Sequence, residues 1–512
     1  MVRRSVLSVR LGVALLIATA GAPGLSAQSG AAADDTPAAA TAAAGETTGA
    51  ASASLPAVAL DRIEADLREM ARYRPGYTFW QHVFLIPDGS VAFGSATDGR
   101  LLVTFPNGGD WTRNGQWADP ELASTLAGAR LHTRQNLRRD EVALLLEDRT
   151  GPVLHNATRG NFLRPNARRY GAFLDEWGLI FERFGVPAEI GLAQAAVESG
   201  WNGRIRSEAR ALGLCQWLPR NWDQMKRFAH HEIEGYNQTT QAPYCAAYLT
   251  ILATKYGSFI PALSEHHAGG TNIGRTVLNG ARLGGEDPRE QYLLGSEFAR
   301  DLRQISLPSY REVVRSYGPR SFLYAEMVFG NAHTVRHYRD TIPQERIHAM
   351  RAPRNIPLDE ITRRTGLSAD QVRRYNPALV RQVPARANLY LPMRVEAFGA
   401  DVSFWHEPAP AAFAELLEEF LALSHPPIRW DDRSFEPVLQ DFRARFRATG
   451  TEEGEIMATV LAYVIQEART SGRGQILADY QRDPRIRRLV ELGVRERESF
   501  RAVTENATVN AR

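Results

Sequence analysis

The stretch Ala188–Pro219, AEIGLAQAAVESGWNGRIRSEARALGLCQWLP, decides how the rest of the chain is read. Ile190, Leu192, Ala193, Ala196 and Val197 form an apolar run with few polar breaks, the pattern of a helix buried nearly all round. Pro187 suits the start of that helix and Gly200 the position just past its end. Glu198 then falls in the last turn, where the helix dipole places partial negative charge and burial penalises an anion. Both effects predict a carboxyl held protonated near neutral pH, the state a general acid needs. The plainer alternative is a Glu198 that caps the helix or pairs with Arg204 or Arg206.

The residues that follow add specificity. Glu198-Ser199-Gly200-Trp201-Asn202, then Ser207, then Gly213-Leu214-Cys215-Gln216-Trp217-Leu218-Pro219 resembles the soluble lytic murein transglycosylase family. The shared pattern is E-S, a short loop with a serine, then G-L-x-Q, an apolar pair and proline. Downstream, Ile260–Gly270 reads IPALSEHHAGG and aligns with the family's A-x-x-A-Y-N-A-G. His266 falls on the usual tyrosine, His267 on the usual asparagine, and Cys215 on the usual tryptophan or methionine.

The resemblance implies a mainly α protein with a lysozyme-like (goose-type) helical catalytic domain over 161–300. It implies that Glu198 alone performs both proton transfers at the bond between N-acetylmuramic acid and N-acetylglucosamine, leaving a 1,6-anhydro end. By position, Ser207 and Gln216 hold substrate, Leu218 lines the sugar groove, and Ser199 orients Glu198. His266 and His267 form the opposite wall. Glu265, beside them, stands where the family has a small residue. Facing the cleft it would activate water; otherwise it faces solvent or pairs with an arginine. Two other functions stay open: a goose-type-lysozyme-like muramidase using water, and a non-catalytic peptidoglycan-binding scaffold.

The chain has 512 residues, enough for several domains. Arg3, Arg4 and Arg10 precede the apolar run Leu11–Ala20, and Leu25-Ser26-Ala27 offers a cleavage point, so 1–27 reads as a signal peptide addressed to the periplasm. The formal charge is +3, and those three arginines supply all of it, since 61 basic residues face 58 acidic ones. The balanced remainder argues against nucleic acid as a partner. Peptidoglycan glycan strands are the expected partner, with a monomer and no lipid anchor; no cysteine lies near the cleavage point. The two cysteines, Cys215 and Cys245, would meet an oxidising compartment, as a disulfide or as two buried thiols. No cofactor is expected, and no metal. His266-His267 and His230-His231-Glu232 are poor joint ligands, because adjacent side chains on a helix diverge.

Around the catalytic stretch the composition changes several times. Residues 28–56 are Ala, Thr, Ser and Gly with few large apolar side chains, a disordered linker. Residues 57–160 read as an accessory α+β region: a helix over Leu60–Tyr73, a β meander over Thr78–Phe105, then helical spacing over Asp119–Leu146. Trp80, Trp111 and Trp117 there suit a core better than a sugar platform. Residues 301–345 form a helical connector, with patches at Tyr310–Tyr317 and Ser321–Tyr338. Residues 346–395 read as strand, helix, helix, strand, with a capping box at Ser368–Gln371 and Asn376-Pro377 as a stop. That order, with G-L-S-x-x-x-V-R-R-Y-N-P-A-L inside, resembles a LysM repeat whose opening turn is degenerate. Together with the catalytic motifs it resembles the membrane-bound lytic murein transglycosylase D type. Residues 408–512 are helical, with apolar stripes at Phe413–Leu421 and Ile456–Val464 and no assigned role.

Overall fold

The computed structural model describes residues 55–304, 322–423, 430 and 435–495. The expected signal peptide, nearly all of the expected linker, and the Tyr310–Tyr317 patch lie outside the described residues. The molecule is mainly helical, as the resemblance requires.

The first helix, α1 (Ala57–Tyr73), is as expected, but Phe79–Leu85 is a helix, α2, where the sequence reads as strand. The run Val83-Phe84-Leu85-Ile86 is apolar at every position, and such a run carries no period to separate the two. A sheet follows in the order β3-β2-β1-β4, from β1 (Val91–Ser95), β2 (Leu101–Phe105), β3 (Gln116–Trp117) and β4 (Val153–Ala157), all antiparallel. The helical spacing at Asp119–Leu146 breaks into a 3-10 turn, Pro120–Leu126, and α3 (Gln135–Thr150). Trp111 is buried against Phe93 and Phe105, Trp80 is buried near Phe79, and Trp117 packs edge-on to Phe105.

The catalytic region is built of α4 (Gly160–Tyr170), α5 (Leu174–Arg183), α6 (Ala188–Ser199), α7 (Pro219–Phe228), α8 (Gln238–Tyr256), α9 (Phe259–Ala268), α10 (Gly270–Arg282) and α11 (Pro288–Gln304). A 3-10 turn at Gly171–Phe173 separates α4 from α5. α6 starts after Pro187 and stops at Gly200, which takes φ 58°, ψ 33° and donates to the Ala196 carbonyl. A side chain there would also meet Phe162 and Asn166 of α4. Ten of its twelve residues are buried, so tertiary packing rather than amphipathicity holds it. α9 starts from Ser258, whose Oγ accepts from the Ile260 N–H. Asp66 of α1 also clamps this helix start, accepting from Ser258 Oγ at 2.6 Å and Phe259 N at 2.7 Å.

A further helix, Tyr324–Thr341, packs against α2, α6 and α9. Beyond it, β5 (His348–Arg351) pairs antiparallel with β8 (Asn388–Leu391), and two helices, Leu358–Thr365 and Ala369–Tyr375, lie between them in sequence. Gly366 ends the first at φ 72°, and Ser368 and Gln371 form the capping box of the second. Two short features are additional: β9 (Ala400–Asp401) on the other edge of β5, and a ladder of β6 (Ile356–Pro357) with β7 (Gln382–Val383).

The last helices, Ala411–Ala422, Glu436–Ala448, Glu452–Ser471 and Arg473–Arg482, fold back onto the catalytic region. Arg183 of α5 anchors them: its Nε donates to Glu453 Oε1 at 2.8 Å, both side chains 2% exposed, and its other nitrogens meet the Phe404 and Glu407 carbonyls. No helix among the described residues is long and apolar enough to cross a membrane.

Candidate active site

The end of α6, the end of α9 and the start of the Tyr324–Thr341 helix converge on Glu198, whose side chain is 14% exposed. The Tyr324 hydroxyl donates to Glu198 Oε1 at 2.5 Å. His266 Nε2 lies 3.8 Å and His267 Nδ1 3.9 Å from the same oxygen. The His267 ring stacks on Tyr324, centroids 4.5 Å apart and planes 9° off parallel. Glu198 does not pair with Arg204 or Arg206; the Arg206 guanidinium lies over the Tyr236 ring. Tyr324 had no role in the sequence reading. It sits 126 residues from Glu198, and no local pattern joins them.

The electrostatics differ from expectation. Burial pushes the Glu198 carboxyl up, as the sequence predicts, but the neighbouring imidazoles, His267 first and then His266, and the Tyr324 hydroxyl outweigh it. The group ends below its ordinary value, a correction to the acid-stabilised helix end inferred from position alone. His266 is itself pushed down by burial, against the pull of Glu198 and of the Cys215 carbonyl. Burial and the Glu198 charge hold the Tyr324 hydroxyl well above its usual range, so it remains a donor.

His266 is fixed through the loop before α7. Its Nε2 donates to the Cys215 carbonyl at 2.9 Å, which places the proton on that nitrogen. Cys215 is disulfide-bonded to Cys245 of α8, with Cα atoms 6.2 Å apart. The same loop holds backbone strain. Trp201 at φ 65°, Arg210 at φ 64° and Gln216 at φ 52° are three of the four non-glycine residues with positive φ among the described residues. Such outliers persist where surrounding structure over-determines them, and they cluster at functional sites.

The remaining expected residues divide into two groups. Leu218 lines a groove of about 580 Å³ with Leu212, Pro219, Arg206, Arg210 and Arg220. Ser207 and Gln216 serve the loop itself: Ser207 Oγ accepts from the Ala211 N–H at 3.0 Å, and Gln216 Nε2 donates to the Ile205 and Gly213 carbonyls. Ser199 is fully buried, its hydroxyl 3.0 and 3.1 Å from the Ala195 and Leu214 carbonyls, so it ties α6 to the Gly213–Gln216 turn rather than orienting Glu198. Glu265 neither faces the cleft nor meets solvent. Lys255 Nζ approaches its two oxygens at 2.9 and 3.1 Å, Arg473 reaches it at 3.2 Å, and the Tyr256 hydroxyl also donates. His230 and His231 go to different partners, Glu455 and the Tyr244 hydroxyl.

Residues 177–286 match the Transglycosylase SLT domain family, which supports a lytic transglycosylase acting on peptidoglycan. The matched segment contains Glu198, the strained loop, the disulfide and both histidines. A search of curated proteins finds no match to the chain.

Proposed function

We propose that the protein is an exported lytic transglycosylase in which Glu198 alone carries both proton transfers. The carboxyl first protonates the glycosidic oxygen between N-acetylmuramic acid and N-acetylglucosamine, and the C1–O bond breaks. The carboxylate then takes the proton of the muramyl C6 hydroxyl as that oxygen bonds to C1. The 1,6-anhydro ring closes, Glu198 regains its proton, and no water is consumed. Because the nucleophile belongs to the substrate, positioning contributes much of the rate.

One observation carries this reading: Glu265, the carboxylate beside the two histidines, is enclosed by Lys255, Tyr256 and Arg473. Hydrolysis by the usual two-carboxylate route would need a second acid facing the bond. His266, His267 and Tyr324 fit the complementary task. They stabilise the carboxylate after its proton has gone, at the moment the oxocarbenium-like ring is positive. The 346–395 unit, in its LysM-like arrangement, would hold the enzyme on wall glycan and raise its local concentration there. The periplasm is the compartment that fits this substrate and the N-terminal leader.

Mass spectrometry of muropeptides released by the mature chain tests the reading. The products should end in 1,6-anhydromuramic acid. Fragments carrying only reducing muramic acid ends would make the enzyme a muramidase.

A further inference from the structure

A second groove, about 830 Å³, lies at the seam between the catalytic region and the 346–395 unit. Arg169, Arg204, Tyr236, Asp370, Arg373 and Arg374 line it, with a short apolar floor at Leu379 and Val380. The arginines come from three elements: Arg169 from the end of α4, Arg204 from the loop leaving the catalytic helix, and Arg373 and Arg374 from the helix Ala369–Tyr375. Only part of this charge is answered within the molecule. Arg374 is held by Glu345 at 2.8 Å and lies over the Phe173 ring. Arg373 is 3.6 Å from Asp370, a side chain 98% exposed, where water screens the pair. Neither Arg169 nor Arg204 has a carboxylate within 4.0 Å among the described residues. One more acid, the exposed Glu208, lies on the same loop.

The excess is local. Beyond residue 27 the chain carries equal numbers of acidic and basic residues, so four guanidinium groups in one groove do not reflect a basic protein. The groove is also joined to the site. Asn202 donates to Asn166 of α4 at 3.3 Å, and Arg204 and Arg169 follow those two residues by two and three positions. Arg204 is six residues from Glu198, at most about 20 Å of extended chain. A four-residue peptide spans roughly 14 Å extended, and an arginine side chain supplies the remainder.

We infer that the seam groove binds the carboxylates of the peptide stem carried by the muramic residue seated at Glu198. The inference rests on the peptidoglycan substrate proposed above. A planar guanidinium meets a carboxylate through two parallel N–H···O bonds, and Arg169 and Arg204 offer two such groups to the groove. The stem would lie across both units, so the 346–395 unit would help to choose substrate at the active site as well as to bind glycan.

The test compares the full mature chain with its Arg169→Ala/Arg204→Ala variant on two substrates: peptide-bearing glycan strands, and the same strands stripped of stems by an amidase. The wild type should cleave the peptide-bearing strands about fivefold to tenfold faster in low salt, the advantage fading as salt rises. The variant should lose that advantage, match the wild type on stripped strands and keep its melting temperature, since both side chains are exposed. Wild-type cleavage without a preference for stems, or a variant slowed equally on both substrates, overturns the groove assignment. A wild type that cleaves neither substrate overturns the peptidoglycan reading instead.

Discussion

Glu198 is partly buried and Glu265 fully so; each lies near the end of a helix and each is held below its ordinary pKa, yet their surroundings differ in kind. Burial pushes both up. Glu265 is drawn back down by permanent cations, Lys255 and Arg473, with bonds from Tyr256 and Lys255. Its partners lie at about hydrogen-bond distance on every side, and its side chain is 3% exposed. Glu198 is drawn down by two imidazoles nearly 4 Å away and one hydroxyl, and its side chain keeps a face to solvent. A charge matched by lysine and arginine is locked over the whole physiological range. A charge matched by histidines can be discharged. The lesson is that the direction of a pKa shift does not identify an acid catalyst; the nature of its partners does.

The comparison can be broken by exchanging the two carboxyls for amides. Glu198→Gln should cut wall-degrading activity by ~100-fold or more and leave the unfolding midpoint nearly unchanged. Glu265→Gln should do the reverse, costing about 3–5 kcal/mol in denaturant unfolding by removing the buried charge that Lys255 and Arg473 face. A stable, inactive Glu265→Gln protein would make Glu265 the catalytic group. Acid titration sharpens the same contrast. The Glu265 pKa is depressed, so its contribution to stability is present above the unfolded value of ~4.3 and is lost as pH falls through the folded value. Glu265→Gln should therefore flatten the acid limb of the stability curve.

Reducing Cys215–Cys245 should cost about 3–4 kcal/mol, from the freedom returned to a loop of 30 residues in the unfolded chain. Activity should fall further than stability alone explains, because the Cys215 carbonyl sets His266. Thiol titration of the denatured, unreduced protein should find no free thiol. The smallest effect is a change of profile. His266→Tyr with His267→Asn removes the imidazoles that lower Glu198, so its carboxyl should rise and the alkaline limb of kcat/KM against pH should move upward. A limb that stays in place would show that the histidines do not set the proton on Glu198.

What the sequence made legible is what short-range rules govern. Gly200 ends α6 because only glycine takes a left-handed turn cheaply there, and Ser368 with Gln371 closes a capping box within four residues. Glu198 and the two histidines could be singled out because their motifs are contiguous in the chain. The polar atoms of Ser199, Ser207 and Gln216 could not be placed that way. Each bonds a carbonyl or amide nearby: Ser199 through its hydroxyl, Ser207 as an acceptor and Gln216 as a donor. Tyr324 and the partners of Glu265 were out of reach for a different reason: Arg473 meets Glu265 across 208 positions. The seam groove is likewise assembled from three separate parts of the chain, so no single segment announces it.

The contact between the first and last parts of the molecule bears on how it is made. Glu418 accepts from the backbone of Ala57, and the Leu421 carbonyl takes a bond from Arg62, across 361 and 359 positions. A ribosome adding roughly 5–20 residues per second needs about 20 to 70 seconds to deliver that partner. Through that interval Ala59 and Met70, fully buried in the finished protein, belong to a nascent helix that lacks part of its cover. Newly made chains released short of residue 411 should consequently be sticky, protease-sensitive species, and a stop codon before residue 411 should cost far more than the loss of a distal appendage.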